Sequence, residues 1–182
     1  MNGTKKVESS LAAKLMEIGF SCTRCGDCCR AGSGDDNLVM VTPREIRAIS
    51  GFCGLQAADI AEPYPESVEL TGGRSVTFGR VLRRRPCGDC RFFSGSSCLA
   101  YPVRPSICRT YPFMLDGDEL RVFPCRGLGN PLAEEEALCI ARDLVRRSAE
   151  EEEEAGRIRA ILPGVPSRPG RFLVDSEGVS ER

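Results

Sequence analysis

A chain of 182 residues with 41% hydrophobic side chains can close one domain around a core and is too short for two independent large ones. Its 25 basic and 26 acidic side chains leave a net charge of −1, which excludes the global basic field behind non-specific nucleic-acid binding. Eleven cysteines with 19 glycines, 12 prolines and no histidine describe a loop-rich body tied through sulfur, and they rule out imidazole-dependent zinc sites, Rieske centres and Cys–His nucleophiles.

In chain order, residues 1–20 hold no long apolar run, because Glu8 and Glu17 interrupt it, and do not form a secretory signal. No later stretch approaches the roughly 20 apolar residues of a membrane span. The expectation is a soluble cytoplasmic protein with no membrane partner. In that compartment disulfides rarely persist and clustered cysteines bind metal or react, and an odd count of 11 thiols fits poorly with a fully paired framework. The apolar spacing of Leu11, Leu15 and Ile18 predicts a helix over Ser9–Ile18 that delivers Phe20 to the first cysteines. GSGDDN at 32–37 reads as a loop, followed by a short strand Leu38–Val41.

Thr42-Pro43-Arg44-Glu45 is a complete helix start, with an N-cap threonine, proline at the first helical position and a glutamate placed for a capping box. Ile46 and Ile49 then face the core, and Gly51 ends the helix. A second short helix is expected near Leu55–Ala61, stopped by Pro63 and Pro65. Alternation around Gly72-Gly73 predicts a β-hairpin over 67–82 with Val68, Leu70, Val76, Phe78 and Val81 inward. Leu120–Phe123 reads as a strand. Pro131–Ile161 reads as one long or twice-bent helix with Leu138, Ala141, Leu144 and Val145 as its stripe and a solvated acidic run at 150–154. The glycine- and proline-rich stretch from Pro163 reads as flexible.

The cysteines carry the chemistry. Cys22-x-x-Cys25 and Cys25-x-x-Cys28 are both knuckle spacings, in which a tight turn aims two sulfurs at one centre, and Gly26 supplies a residue able to take positive φ. Cys28 and Cys29 are adjacent, so their side chains diverge and suit two neighbouring centres better than one. Cys87-x-x-Cys90, Cys98 and Cys108 supply further thiolates from distant segments. Thiolate-only coordination leaves two alternatives, a structural Cys₄ zinc or an iron–sulfur cluster. The triple spacing and the vicinal pair lean towards a four-iron, four-sulfur cluster. Cys29, Cys90, Cys108 and Cys125 are each followed by arginine, at Arg30, Arg91, Arg109 and Arg126, a pattern that could offset the negative charge of a thiolate centre. Cys53 reads as a small buried residue and Cys139 as an exposed thiol. Tyr101, Arg104, Tyr111 and Phe113 read as packing over the site that excludes water.

Phe20-x-Cys22-x-x-Cys25-Gly26-x-Cys28-Cys29, Thr42 to Ile49, Cys90-x-Phe92, Cys98-x-x-Tyr101-x-x-Arg104-Pro105-x-x-Cys108-Arg109-x-Tyr111-Pro112-Phe113 and Cys125-x-Gly127 occur in an order that resembles the CxxCxxCC family, the zinc- or iron-chelating cysteine-cluster proteins also called Fe–S-cluster-containing proteins. The resemblance covers about residues 15–130. It implies Cys22, Cys25, Cys28, Cys29, Cys90, Cys98, Cys108 and Cys125 as ligands, enough for two four-ligand centres. The chain departs from the pattern in reading Cys90-Arg91-Phe92-Phe93 and in carrying Cys87 as well, which leaves Cys87 and Cys90 as alternatives for one ligand.

The flagellin lysine N-methylase is similar in carrying such a cluster, but no G-x-G-x-x-G, P-loop, C-x-x-x-C-x-x-C or paired-carboxylate pattern accompanies it here. Two functions follow as expectations. One is a redox or protein-modifying iron–sulfur protein with a redox partner. The other is a zinc-stabilised module that binds a protein partner without catalysis. The expected architecture is α+β, with an N-terminal arm over 1–14, an irregular metal-chelating domain of short helices and a short antiparallel sheet over 15–130, a C-terminal helix over 131–162 and a flexible tail over 163–182.

Overall fold

The computed structural model describes residues 2–31, 38–95 and 97–182, with the side chains of 2 and 3 left aside. The loop expected at 32–37 lies outside the described residues. The fold is α+β. Helix α1 spans Asn2–Ile18 and α5 spans Glu134–Ile161 as one element of 28 residues. Leu11, Ala12 and Leu15 of α1 meet Ala137, Ala141 and Leu144 of α5, with Phe113 completing the cluster. Both stripes recur at three- and four-residue spacing, so the two helices bury one face each, and a fully buried leucine such as Leu15 contributes about 2 kcal/mol by area. The segment expected as an arm is thus helical from Asn2, where the predicted helix began at Ser9.

Between these helices the chain forms three shorter helices and small sheets. Strand β1 is Met40–Val41 and α2 is Pro43–Cys53. The helix runs two residues past Gly51 because Gly54 closes it in the left-handed conformation at φ 67°, donating its N–H to Ser50 O at 2.9 Å. Helix α3, Ala57–Ile60, leads into β2, Ala61–Pro63. The hairpin forms between β3, Val68–Leu70, and β4, Arg74–Phe78. Val68 is 50% exposed, contrary to the inward expectation, whereas Val76 opposite it is fully buried: β3 is an edge strand, while β4 lies between β3 and β8. After Gly79 the chain leaves this sheet. β5, Arg80–Leu82, instead pairs antiparallel with β1 and β2 in a three-stranded sheet of order β1-β5-β2.

Further on, α4 is Ser106–Thr110, and β6, Phe113–Asp116, pairs antiparallel with β7, Glu119–Val122. Residues 163–182, expected as a flexible tail, supply β8, Gly170–Asp175, and β9, Gly178–Glu181. β8 lies parallel to β4, with Val76 opposite Phe172, and the sheet order is β3-β4-β8-β9. Phe172 and Val174 face Val76 and Val165 in a buried cluster, which gives this segment the apolar burial that its glycine- and proline-rich approach conceals. A third cluster, Val41, Ile46, Ile49, Ile60, Ala61, Leu82, Phe92 and Ala100, lies beside the cysteines, with Cys53, Cys90 and Cys98 packed against it. Among the described residues no helix is long and apolar enough to cross a membrane.

Candidate metal centre

The first cysteines sit on a loop that two other segments grip. Ser21 N donates to Gly127 O at 3.0 Å, and Phe20 bridges Leu128. At the other end Cys90 N donates to Cys29 O at 2.7 Å and Ala31 N to Asp89 Oδ1 at 2.9 Å. Within the loop Gly26 adopts φ 77°, which turns the chain into the single 3₁₀ turn Asp27–Cys29. A Cβ at Gly26 would stand 2.3 Å from the ring of Phe93, so the turn needs glycine for both its dihedral and its clearance. Arg24 completes the approach at φ 53°.

The remaining cysteines belong to turns anchored in the core. Cys90 and Cys98 flank a tight excursion in which Phe93 bridges Cys98. The thiols of Cys90, Cys98 and Cys125 each accept an amide hydrogen bond from the residue two positions on, Phe92, Ala100 and Gly127 respectively; for Cys125 the N–H reaches Sγ at 3.5 Å. Phe92, Ala100 and Gly127 are all buried. Each sulfur is therefore oriented by an amide that the core holds still, a donation that favours the thiolate.

Cys28, Cys29, Cys90 and Cys108 come from three segments and line one cavity of about 20 Å³, closed by Val39, Leu82, Arg83 and Arg84. That is the size of one ion or water. Cys28 Sγ lies 3.9 Å from Cys29 Sγ. Cys98 belongs to the same group by charge, since it and Cys28 raise each other's neighbours: Cys90, Cys98 and Cys108 are all pushed up, first by burial and then by the nearby thiolates. Cys29 is pushed up strongly, with the Cys28 hydrogen bond as the first cause, and the same bond brings Cys28 down to about 7. A second group forms around Cys125, raised by burial and then by Cys25, Cys28 and Cys22. Cys28 is common to both groups. Among the described residues no three cysteine or carboxylate side chains already converge on a single point.

The donor set nevertheless fits a thiophilic cation. The thiols of Cys28, Cys29, Cys90, Cys98 and Cys108 lie close enough that ionising one opposes ionising the next, and a bound cation removes that repulsion. Thiolates without imidazole suit zinc and iron–sulfur centres. When bound, such a group supplies either a folding cross-link or an electron-transfer site. Cys87 stands apart: it is exposed, on the turn where Gly88 N donates to Arg85 O, and does not line the cavity that Cys90 lines. Cys139 is exposed on α5, and Cys53 is half-buried against the core.

Three of the arginines adjacent to cysteines in sequence are directed elsewhere, Arg109 donating to Arg104 O at 3.5 Å. Arg30 and Arg126 both pair with Asp27, Arg126 at 2.8 Å, and Arg30 also lies over the Phe93 ring at 5.1 Å. The guanidinium groups that hold thiolates down are Arg104, towards Cys28 and Cys98, and Arg84, towards Cys90. Adjacent side chains diverge, so a residue beside a ligand in sequence is a poor guide to its counter-charge; Arg104 carried a sequence signal only through its place in the Arg104-Pro105 motif. Of the aromatics expected over the site, Tyr101 is held under Arg104 at 3.8 Å and Tyr111 donates its hydroxyl to Pro124 O at 2.6 Å while stacking on Phe123. Phe113 faces away, edge-on to Phe20 in the cluster between α1 and α5.

Residues 21–139 match the model of a family described as "CxxCxxCC: Putative zinc- or iron-chelating domain". No curated protein and no solved structure matches the chain. With well over half its length in that match, the chain belongs to the CxxCxxCC family.

Proposed function

We propose that the chain is a metal-thiolate protein in which Cys29, Cys90, Cys98 and Cys108 serve an inner centre and Cys22, Cys25 and Cys125 an outer one, with Cys28 between them. The observation that carries this reading is the cavity shared by thiols from three chain segments. Cys90 rather than Cys87 is the ligand, since only Cys90 reaches that cavity. The chain's own residues orient the sulfurs through the amides of Phe92, Ala100 and Gly127 and temper their charge through Arg84 and Arg104.

The spacing of the first loop favours a four-iron, four-sulfur cluster, and with it a redox or side-chain-modifying role that needs an electron partner. The volume of the cavity, about 20 Å³, favours a second reading, a mononuclear zinc that cross-links the fold and leaves the surface to bind a protein partner. Anaerobic purification separates them. A brown protein with stoichiometric iron and acid-labile sulfide, and a paramagnetic signal on reduction, supports the cluster; a colourless protein with tightly held zinc supports the second reading. Protein that retains neither metal after purification with both metals supplied would overturn the proposal.

A further inference from the structure

We infer that Glu45 is the positioning residue for Cys108: one carboxylate is divided between the first turns of two helices and so fixes α4, and its cysteine, relative to α2. This rests on the reading of Cys108 as a ligand. Glu45 Oε2 accepts from Thr42 N at 2.9 Å, which together with Glu45 N donating to Thr42 Oγ1 at 3.2 Å makes an ordinary capping box, and it also accepts from Thr42 Oγ1 at 3.2 Å. Its other oxygen, Oε1, crosses to a different part of the chain, where it accepts from Ser106 N at 2.8 Å and Ser106 Oγ at 3.0 Å.

Helix α4 has five residues and follows Pro105, which provides no side-chain cap. A single turn of that length does not hold itself in water, and its first amides need partners. Glu45 supplies one from 61 positions away. Cys108 is the third residue of this turn and lines the thiol cavity, so a turn that pivots about its N-terminus moves the sulfur out of line. The carboxylate is not there to favour the thiolate. Its charge is among the influences that push the Cys108 thiol up, after burial and the neighbouring cysteines. Its contribution is to geometry.

The test uses the full chain loaded with Co²⁺, whose thiolate-to-metal absorption counts bound sulfurs. Glu45→Gln can still cap α2 through its one carbonyl oxygen but presents an NH₂ group to Ser106 N. The expected result is a loss of absorption matching one thiolate and a release of metal to a chelator roughly tenfold faster, the scale for a charge-assisted hydrogen bond. Combining E45Q with Cys108→Ser should add nothing to either single change. Thr42→Ala, which disturbs only the α2 end, should lower the melting temperature and leave the spectrum alone. An E45Q spectrum and release rate equal to wild type, additivity with C108S, or a T42A spectrum altered as much as that of E45Q would each overturn the inference. If E45Q does not fold, Ser106→Ala removes one arm and should give a smaller shift of the same sign, with an unchanged spectrum again overturning it. Absence of any thiolate band in the wild type would instead sink the metal reading itself.

Discussion

Arg147 Nη1 donates to Thr110 Oγ1 at 2.9 Å, joining the middle of α5 to the last residue of α4. Arg147 is 5% exposed and its Nε also donates to Glu151 Oε1 at 2.6 Å. Thr110 in turn donates to Ser106 O at 3.1 Å. A buried cation therefore holds the far end of the turn that Glu45 holds at its start. Arg147→Ala should cost about 2–3 kcal/mol, from the lost hydrogen bonds and the emptied stem volume. Arg147→Met should cost less, because it refills the volume and frees an already exposed Glu151 to water. Urea denaturation of the two variants checks the order.

Gly26 offers a sharper test of the first loop. Its left-handed φ of 77° and the 2.3 Å approach of a hypothetical Cβ to Phe93 are separate penalties. Gly26→Ala should destabilise the protein by about 1–2 kcal/mol for the dihedral alone and by more through the clash. Phe93→Leu in the G26A background should recover the second part and leave the first. Metal stoichiometry and thermal melting, measured together, report both.

Cys87 and Cys90 should separate cleanly. Cys90→Ser removes a thiol that lines the cavity and takes an amide hydrogen bond from Phe92, so metal retained after dialysis should fall and release should quicken. Cys87→Ser alters an exposed turn residue and should leave both unchanged within about 0.5 kcal/mol of stability. The reverse outcome would move the ligand to Cys87. Elemental analysis decides.

Metal affinity should climb with pH beyond the point where ordinary thiols level off. Cys90, Cys98, Cys108 and Cys125 are all raised, chiefly by burial, so above the ordinary thiol value of about 8.5 they still hold protons that a cation must displace. Cys28, lowered to about 7 by its hydrogen bond with Cys29, acts in the opposite sense but is one thiol against five, since the same bond raises Cys29. For the metal-free chain the sign reverses. A raised folded value means the unfolded chain releases its protons first, so the stability these thiols contribute is present below about 8.5 and is lost as pH rises. Competition titrations for affinity and urea midpoints for the metal-free chain, at about pH 7.5 and about pH 9.5 on either side of that value, should therefore move in opposite directions.

The parts of this fold that depend on neighbours in sequence were readable in it. Thr42 and Glu45 announced α2 because a capping box is complete within four residues, and Leu11, Leu15, Ala141 and Leu144 announced two helices because their stripe is local. The parts that depend on distant partners were not. Phe172 and Val174 look like residues of a loose tail until β4 is alongside them, and β6 begins directly after Pro112, where proline reads as a break. Gly51 was a misleading stop since glycine within a helix is tolerated and Gly54 was available to end it. In the site, the cysteines were legible by spacing, while Arg84 was not and Arg104 was read only as packing: counter-charges are chosen by proximity in space. Glu45 gave half its role to the sequence and kept the half that reaches Ser106.

The parallel seat of β8 beside β4 has a consequence for how the molecule is made. β4 remains a half-dressed edge until β8 has emerged, yet every clustered cysteine, Cys22 to Cys125, precedes β8 in the chain. During synthesis the sulfurs are thus all present before the sheet can close, and a nascent polypeptide stalled in α5 would carry a complete set of thiols while β4 still lacked its partner.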